Sequence, residues 1–225
     1  MGKILGIAIQ NYGSLKNIQM GKLYSNQHGT ELGNMVAIIG PSGNGKSTLA
    51  DAFGFISDCL STDVESACDA NNRGGYDQLI SQGSGDAIHF ELYYKESNNS
   101  RPITYELTIA KDKSGRPYVK DERLRQRRPN NKNGRPLSFL NLNDGKGYAF
   151  EGKVGGQDDD GSIEGKRELV ELSDTRKLGI VTMGAMKQYS RIEMFLSFLK
   201  SWYLCYFTPD AARQIQTAAP AQYLN

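Results

Sequence analysis

Apolar side chains recur along the first sixty residues in two rhythms. Residues 4–9 form an isoleucine-rich run that ends at the polar pair Gln10-Asn11, the pattern of a first strand. Asn11-Tyr12-Gly13-Ser14 spells a turn, residues 15–23 a second extended segment, and residues 25–30 a polar loop. Met35-Val36-Ala37-Ile38-Ile39 is unbroken apolar sequence, which predicts a strand buried on both faces of a parallel sheet. A glycine-rich turn follows. Leu49, Ala52, Phe53, Ile56 and Leu60 then repeat at three and four residues, which predicts an amphipathic helix.

Residues 61–85 are polar and rich in glycine, and read as a connection. Residues 88–94, 103–110 and 118–124 alternate apolar and polar positions, as antiparallel strands do, with Asp112-Lys113-Ser114-Gly115 as a hairpin turn. Shorter strands are expected at 138–142 and 148–151, around Asn143-Asp144-Gly145. Residues 178–183 read as a buried strand. Tyr189, Ile192, Phe195, Leu196 and Leu199 mark a second amphipathic helix, and residues 202–207 a further strand stopped by Thr208-Pro209. The basic stretch 123–135 and the acidic stretch 157–161 read as solvated hairpin tips.

Composition adds bounds. A chain of 225 residues can bury a sizeable core, as one large domain or one with an insertion, and 25 glycines imply many loops. A formal charge of +2 neither marks nor excludes a nucleic-acid binder, since local patches decide. Cys59, Cys68 and Cys205 are too scattered for a disulfide framework, and with only His28 and His89 beside them no zinc cluster is expected. Residues 1–10 lack the features of a signal peptide, and no apolar run reaches membrane-spanning length, so a cytoplasmic protein is expected.

One stretch carries chemistry. Gly40-Pro41-Ser42-Gly43-Asn44-Gly45-Lys46-Ser47 fits the P-loop spacing: two glycines around four residues, then lysine and a hydroxyl residue. The glycines permit a backbone that aims successive N–H groups inward at an anion, and the following helix adds the positive end of its dipole. Lys46, the candidate catalytic residue, is expected to reach the β- and γ-phosphates of ATP. Ser47 is expected to supply a hydroxyl to Mg²⁺, and Thr48 a contact to the α-phosphate.

The wording of this loop resembles the ABC-type consensus. Upstream, Ile7-Ala8-Ile9-Gln10-Asn11-Tyr12-Gly13-Ser14-Leu15 resembles the opening of SMC-like heads, shared by ATPases of the RecF and overcoming-lysogenization-defect types. Downstream, Asp51-Ala52-Phe53-Gly54-Phe55-Ile56 resembles the helix of the same group, which precedes a long antiparallel β-lobe. The resemblance implies an α/β fold: a P-loop NTPase head of ABC/SMC type, with a mixed sheet around the loop's helix and an antiparallel β-lobe. It implies that 1–225 is the N-terminal portion of one head. Residues 1–60 would be the P-loop core, about 86–175 the β-lobe, and 176–225 a return to the core, with the second half of the head not present. Two ATP-bound heads would dimerise or oligomerise through nucleotide and Mg²⁺. The expected roles lie in DNA transactions or anti-phage defence, with an effector such as a nuclease. Ser14 and Lys16 resemble the turn that lines the nucleotide in such heads, and an ordinary strand-to-strand turn explains them equally well.

Three expected parts have no convincing counterpart. Ile80-Ser81-Gln82-Gly83-Ser84-Gly85 echoes the signature motif faintly and lies too close to the loop. Asp210 ends an apolar stretch as a Walker B carboxylate would, but Pro209 interrupts it and no glutamate follows. Gln188 is the nearest candidate for the Mg²⁺-sensing glutamine, ahead of Gln78 and Gln82, and each also reads as a surface residue. Two further readings therefore stand beside the ATPase switch. One is the nucleotide-binding subunit of a membrane transporter; the other is a scaffold that binds nucleotide without hydrolysing it. The basic stretch 123–135 could touch nucleic-acid phosphates, and it carries no aromatic residues for base stacking.

Overall fold

The computed structural model describes residues 2–25, 27–83, 85, 87–97, 100–126, 136–152 and 165–202. The described residues hold eight strands: β1 (Lys3–Tyr12), β2 (Leu15–Gly21), β3 (Ala87–Lys95), β4 (Ile103–Lys111), β5 (Pro117–Gln126), β6 (Leu137–Asn143), β7 (Lys146–Glu151) and β8 (Lys166–Glu171). They form one sheet in the order β2-β1-β3-β4-β5-β6-β7-β8, and every pairing is antiparallel. Among the described residues five α-helices accompany it: α1 (Lys46–Ser61), α2 (Val64–Asp69), α3 (Tyr76–Leu79), α4 (Gly179–Gly184) and α5 (Ser190–Lys200).

One face of the sheet is packed and the other solvated, as alternation in an antiparallel sheet dictates. Ile88, Phe90, Leu92 and Tyr94 of β3 are buried, as are Ile103, Tyr105, Leu107 and Ile109 of β4. They share a single core with the apolar sides of the helices. Phe55 of α1 lies 5.5 Å from Tyr12 and 5.9 Å from Phe90, ring centre to ring centre. Phe195 of α5 lies 5.0 Å from Tyr105, and Phe198 stacks on Tyr94 at 4.0 Å.

A bulge in β5 alters the alternation. Thr108 pairs with Asp121 and Ile109 with Val119, so Lys120 is an extra residue. Two residues further on, Glu122 turns into the core and is fully buried. It accepts hydrogen bonds from the Tyr105 hydroxyl (2.9 Å) and from the first backbone N–H groups of α4, at Gly179 and at Ile180 (3.1 Å).

The expected P-loop NTPase architecture is overturned. No parallel pairing exists among the described strands, and residues 35–39 join no strand. Met35 is 92 % and Ile39 93 % exposed, so this apolar run is surface backbone and not the centre of a sheet. Two other elements differ from expectation. Residues 178–183 belong mostly to helix α4, a change made possible by Glu122 capping the helix start. Residues 61–85 contain α2, a 3-10 turn at Ala70–Asn72 and α3. Strand β8 was not foreseen, because its charges and its exposed Leu169 mask the period. The expected strands at 88–94, 103–110, 118–124, 138–142 and 148–151 are present as β3 to β7, and the two long helices as α1 and α5. Residues 203–207, Asp210, the acidic stretch 157–161 and the basic tip 127–135 lie outside the described residues.

Candidate phosphate-binding loop

Helix α1 begins at Lys46, directly after the glycine-rich loop. Its N-cap residue, Gly45, has φ 78°, a left-handed conformation that a side chain resists. Gly43 is also left-handed, at φ 84°. A side chain on Gly45 would press on the Ser14 hydroxyl and on Leu15, whereas Gly40 and Gly43 face open space. No side chain caps the helix start and no acidic residue sits in its first turn. The first intrahelical hydrogen bond runs from Leu49 N–H to the Gly45 carbonyl (2.9 Å). The N–H groups of Lys46, Ser47 and Thr48 thus precede the intrahelical ladder, at the positive end of a sixteen-residue helix.

Lys46 folds back over its own loop. Its ammonium donates to the carbonyls of Gly40 and Pro41, both at 2.6 Å, which closes Gly40, Pro41, Ser42, Gly43, Asn44 and Gly45 into a ring. Pro41, Ser42, Gly43, Asn44 and Ser47 are exposed. Such a loop offers amides, one cation and two hydroxyls to an anion. It offers no carboxylate, and among the described residues no group of three or more His, Cys, Asp or Glu could hold a metal. A Mg²⁺ ion at Ser47 would therefore take its other ligands from phosphate oxygens and water, which suits that ion's preference for keeping waters.

The turn between β1 and β2 braces the helix start. The hydroxyls of Ser14 and Thr48 are 2.9 Å apart. Gly13, at φ 54°, approaches Thr48 so closely that a Cβ there would lie 2.7 Å from its methyl group. Behind this turn, Gly13 N–H donates to the Leu79 carbonyl (2.5 Å), Ser81 N–H to Asn11 O (3.0 Å), and the Ser81 hydroxyl to Gly13 O (2.7 Å). Ser81, part of the faint signature echo, thus serves as a strut for the turn. Lys16 is exposed on β2.

One turn into α1 lies a charged cluster that the sequence did not announce. The Arg73 guanidinium is buried between Asp51 and Asp58, both on α1. Its Nε and Nη2 reach Asp51 Oδ1 at 3.0 and 2.9 Å, and Nη1 also donates to the Ala67 carbonyl (2.9 Å). The Tyr12 hydroxyl donates to Asp51 Oδ2 (2.6 Å). Burial and the Asp51 carboxylate push the Tyr12 phenol far above its usual range, so it remains a donor. The one available signal was a single arginine before Gly74-Gly75 in an otherwise polar stretch, and that is too weak to read.

Other candidates lie elsewhere. Gln188 sits in a 3-10 turn before α5, its carbonyl accepting from Gly152 N–H (3.2 Å) at the end of β7. Among the described residues no hydrogen bond joins it to the loop. Gln78 lies in α3 and Gln82 in the turn after it. Cys59 and Cys68 are buried free thiols; burial raises both, Cys68 to about 12, which leaves them without thiolate character. No described helix is long and apolar enough to cross a membrane.

A scan against protein-family models found no match for this chain, and a comparison with curated proteins found none.

Proposed function

We propose that the loop Gly40 to Thr48 binds the phosphates of ATP, and that the chain works as a nucleotide-dependent association switch. The observation that supports this best is the uncapped start of α1, preceded by two left-handed glycines and with the Lys46 ammonium folded over the loop. On binding, Lys46 exchanges the carbonyls of Gly40 and Pro41 for phosphate oxygens. Gly43, Asn44 and Gly45 present N–H groups, Ser47 faces Mg²⁺, and Thr48 is held by Ser14. Association of two chains through the bound nucleotide rests on the resemblance of the loop and its flanks to ABC/SMC-type heads. A role on DNA or in defence, with an effector, rests on the wording of the loop and its flanks.

The test is ATP titration of the full chain with Mg²⁺, alongside Lys46→Ala. The variant should keep the fold, because among the described residues the Lys46 ammonium hydrogen-bonds carbonyls of its own loop, and should lose about tenfold or more in affinity, the worth of a charge-assisted contact. Light scattering with and without ATP checks the association. Equal affinity in the two proteins contradicts the loop assignment, and an unchanged mass with bound ATP contradicts the switch.

A further inference from the structure

We propose that Tyr12, Asp51 and Arg73 are positioning residues for the phosphate loop, fixing the rotation and height of α1 so that its first turn meets Ser14. The inference rests on the phosphate-binding reading of that loop and extends it to residues that touch no ligand.

The geometry that carries it is a two-point clamp. Thr48 and Asp51 are three residues apart, and therefore on one face of α1. Ser14 and Tyr12 are two residues apart at the end of the β1–β2 hairpin, and each meets one of them: Ser14 meets Thr48 at 2.9 Å, and Tyr12 meets Asp51 at 2.6 Å. The strand end and the helix start are thus joined at successive rungs. Tyr12 is fully buried, its ring held by Phe55 of α1 and Phe90 of β3, so its hydroxyl has little freedom.

Arg73 closes the clamp from the far side. It engages the Asp51 carboxylate through two nitrogens, engages Asp58 two turns along, and lies 5.5 Å above the Phe55 ring. Two carboxylates seven residues apart on one helix are thereby held to a single buried cation. A helix so gripped cannot slide along its axis without parting Arg73 from one of them. Packing alone needs no such arrangement, since Leu49, Ala52, Phe55 and Ile56 already bury the apolar face of α1. Height and rotation are what a phosphate loop requires, because amides displaced by about 1 Å forfeit much of their hydrogen bonding.

The experiment compares Tyr12→Phe, Asp51→Asn, Arg73→Ala and Arg73→Lys with a control, Phe150→Leu, which loosens the core at β7. Each protein is assayed for melting temperature, Mg-ATP affinity, and amide exchange at residues 49–52, the first turn of hydrogen-bonded amides in α1, without nucleotide. Tyr12→Phe keeps the ring and should fold; it should bind ATP about fivefold or more weakly, the factor one lost hydrogen bond carries. Its exchange should quicken in the first turn of α1 and not at the distal end. Arg73→Lys should recover part of what Arg73→Ala loses, and Phe150→Leu should melt lower with wild-type affinity. Wild-type affinity in folded Tyr12→Phe and Asp51→Asn overturns the proposal, as does an equal loss in the control. Should the wild type itself bind no ATP, the function assigned to the loop falls. The exchange profile then judges the clamp alone: quickening confined to the first turn upholds it, and an unchanged profile overturns it.

Discussion

At the scale of single residues, Glu122 shows how a bulge can place chemistry where alternation forbids it. Its carboxyl is pushed up to about 7 by burial, against three hydrogen bonds that favour the charged form. A carboxyl raised in the folded protein above its unfolded value near 4.3 binds its proton more tightly when folded. Its contribution to stability is therefore complete at acidic pH, and it falls as pH rises through the interval up to about 7. Urea unfolding of wild type and Glu122→Gln at pH 5 and pH 8 measures this. The wild type should lose about 3 kcal/mol relative to the variant across that range. A constant difference would mean that the carboxyl does not titrate there. The sequence offered no sign of this residue, because Glu122 occupies an ordinary place in a charged strand and only the extra residue at Lys120 turns it inward. The glycines of the loop were legible singly, since Gly43 and Gly45 take the left-handed conformations that the motif's spacing requires.

At the scale of elements, α1 and strands β3 to β7 were legible, because their apolar periods match the faces they bury. The helix differs in detail: Phe55, which the period did not single out, is fully buried with Leu49, Ala52, Ile56 and Cys59, while Phe53 packs half-buried at the edge of the core against Trp202. Residues 35–39 were not legible. An apolar run of five has no period, so it reads as a buried strand whether or not a partner strand exists. The run is exposed here, which makes a plain prediction. Ile39→Lys should leave unfolding free energy within about 0.5 kcal/mol of wild type, as surface changes do. A loss of several kcal/mol would place Ile39 in a packed interior. Helix α4 was missed for a physical reason too: its short apolar sequence suits strand or helix, and a buried glutamate from another strand decides between them.

At the scale of the molecule, an antiparallel sheet with its helices on the packed face presents a phosphate-loop motif at one end. The core explains the clamp's setting: β1 lies inside the sheet between β2 and β3, so its end at Tyr12 is a firm point against which α1 can be registered. Strand order could not be read from the chain, because pairing β1 with β3 across 74 intervening residues depends on burial and not on local pattern. The candidate site is read from a local stretch, the nine residues from Gly40 to Thr48. The bracing by Ser14, Tyr12 and Arg73 is long-range: the sequence offers Ser14 only as part of a turn lining the nucleotide, and its contact with Thr48 comes from the fold. The most direct measurement of the central claim is the amide spectrum of ¹⁵N-labelled protein during titration with Mg-ATP. The largest shifts should fall on Gly43, Asn44, Gly45, Lys46, Ser47 and Thr48, with smaller ones at Ser14. Shifts that spare these six amides while others move, or a spectrum that does not change, would contradict it.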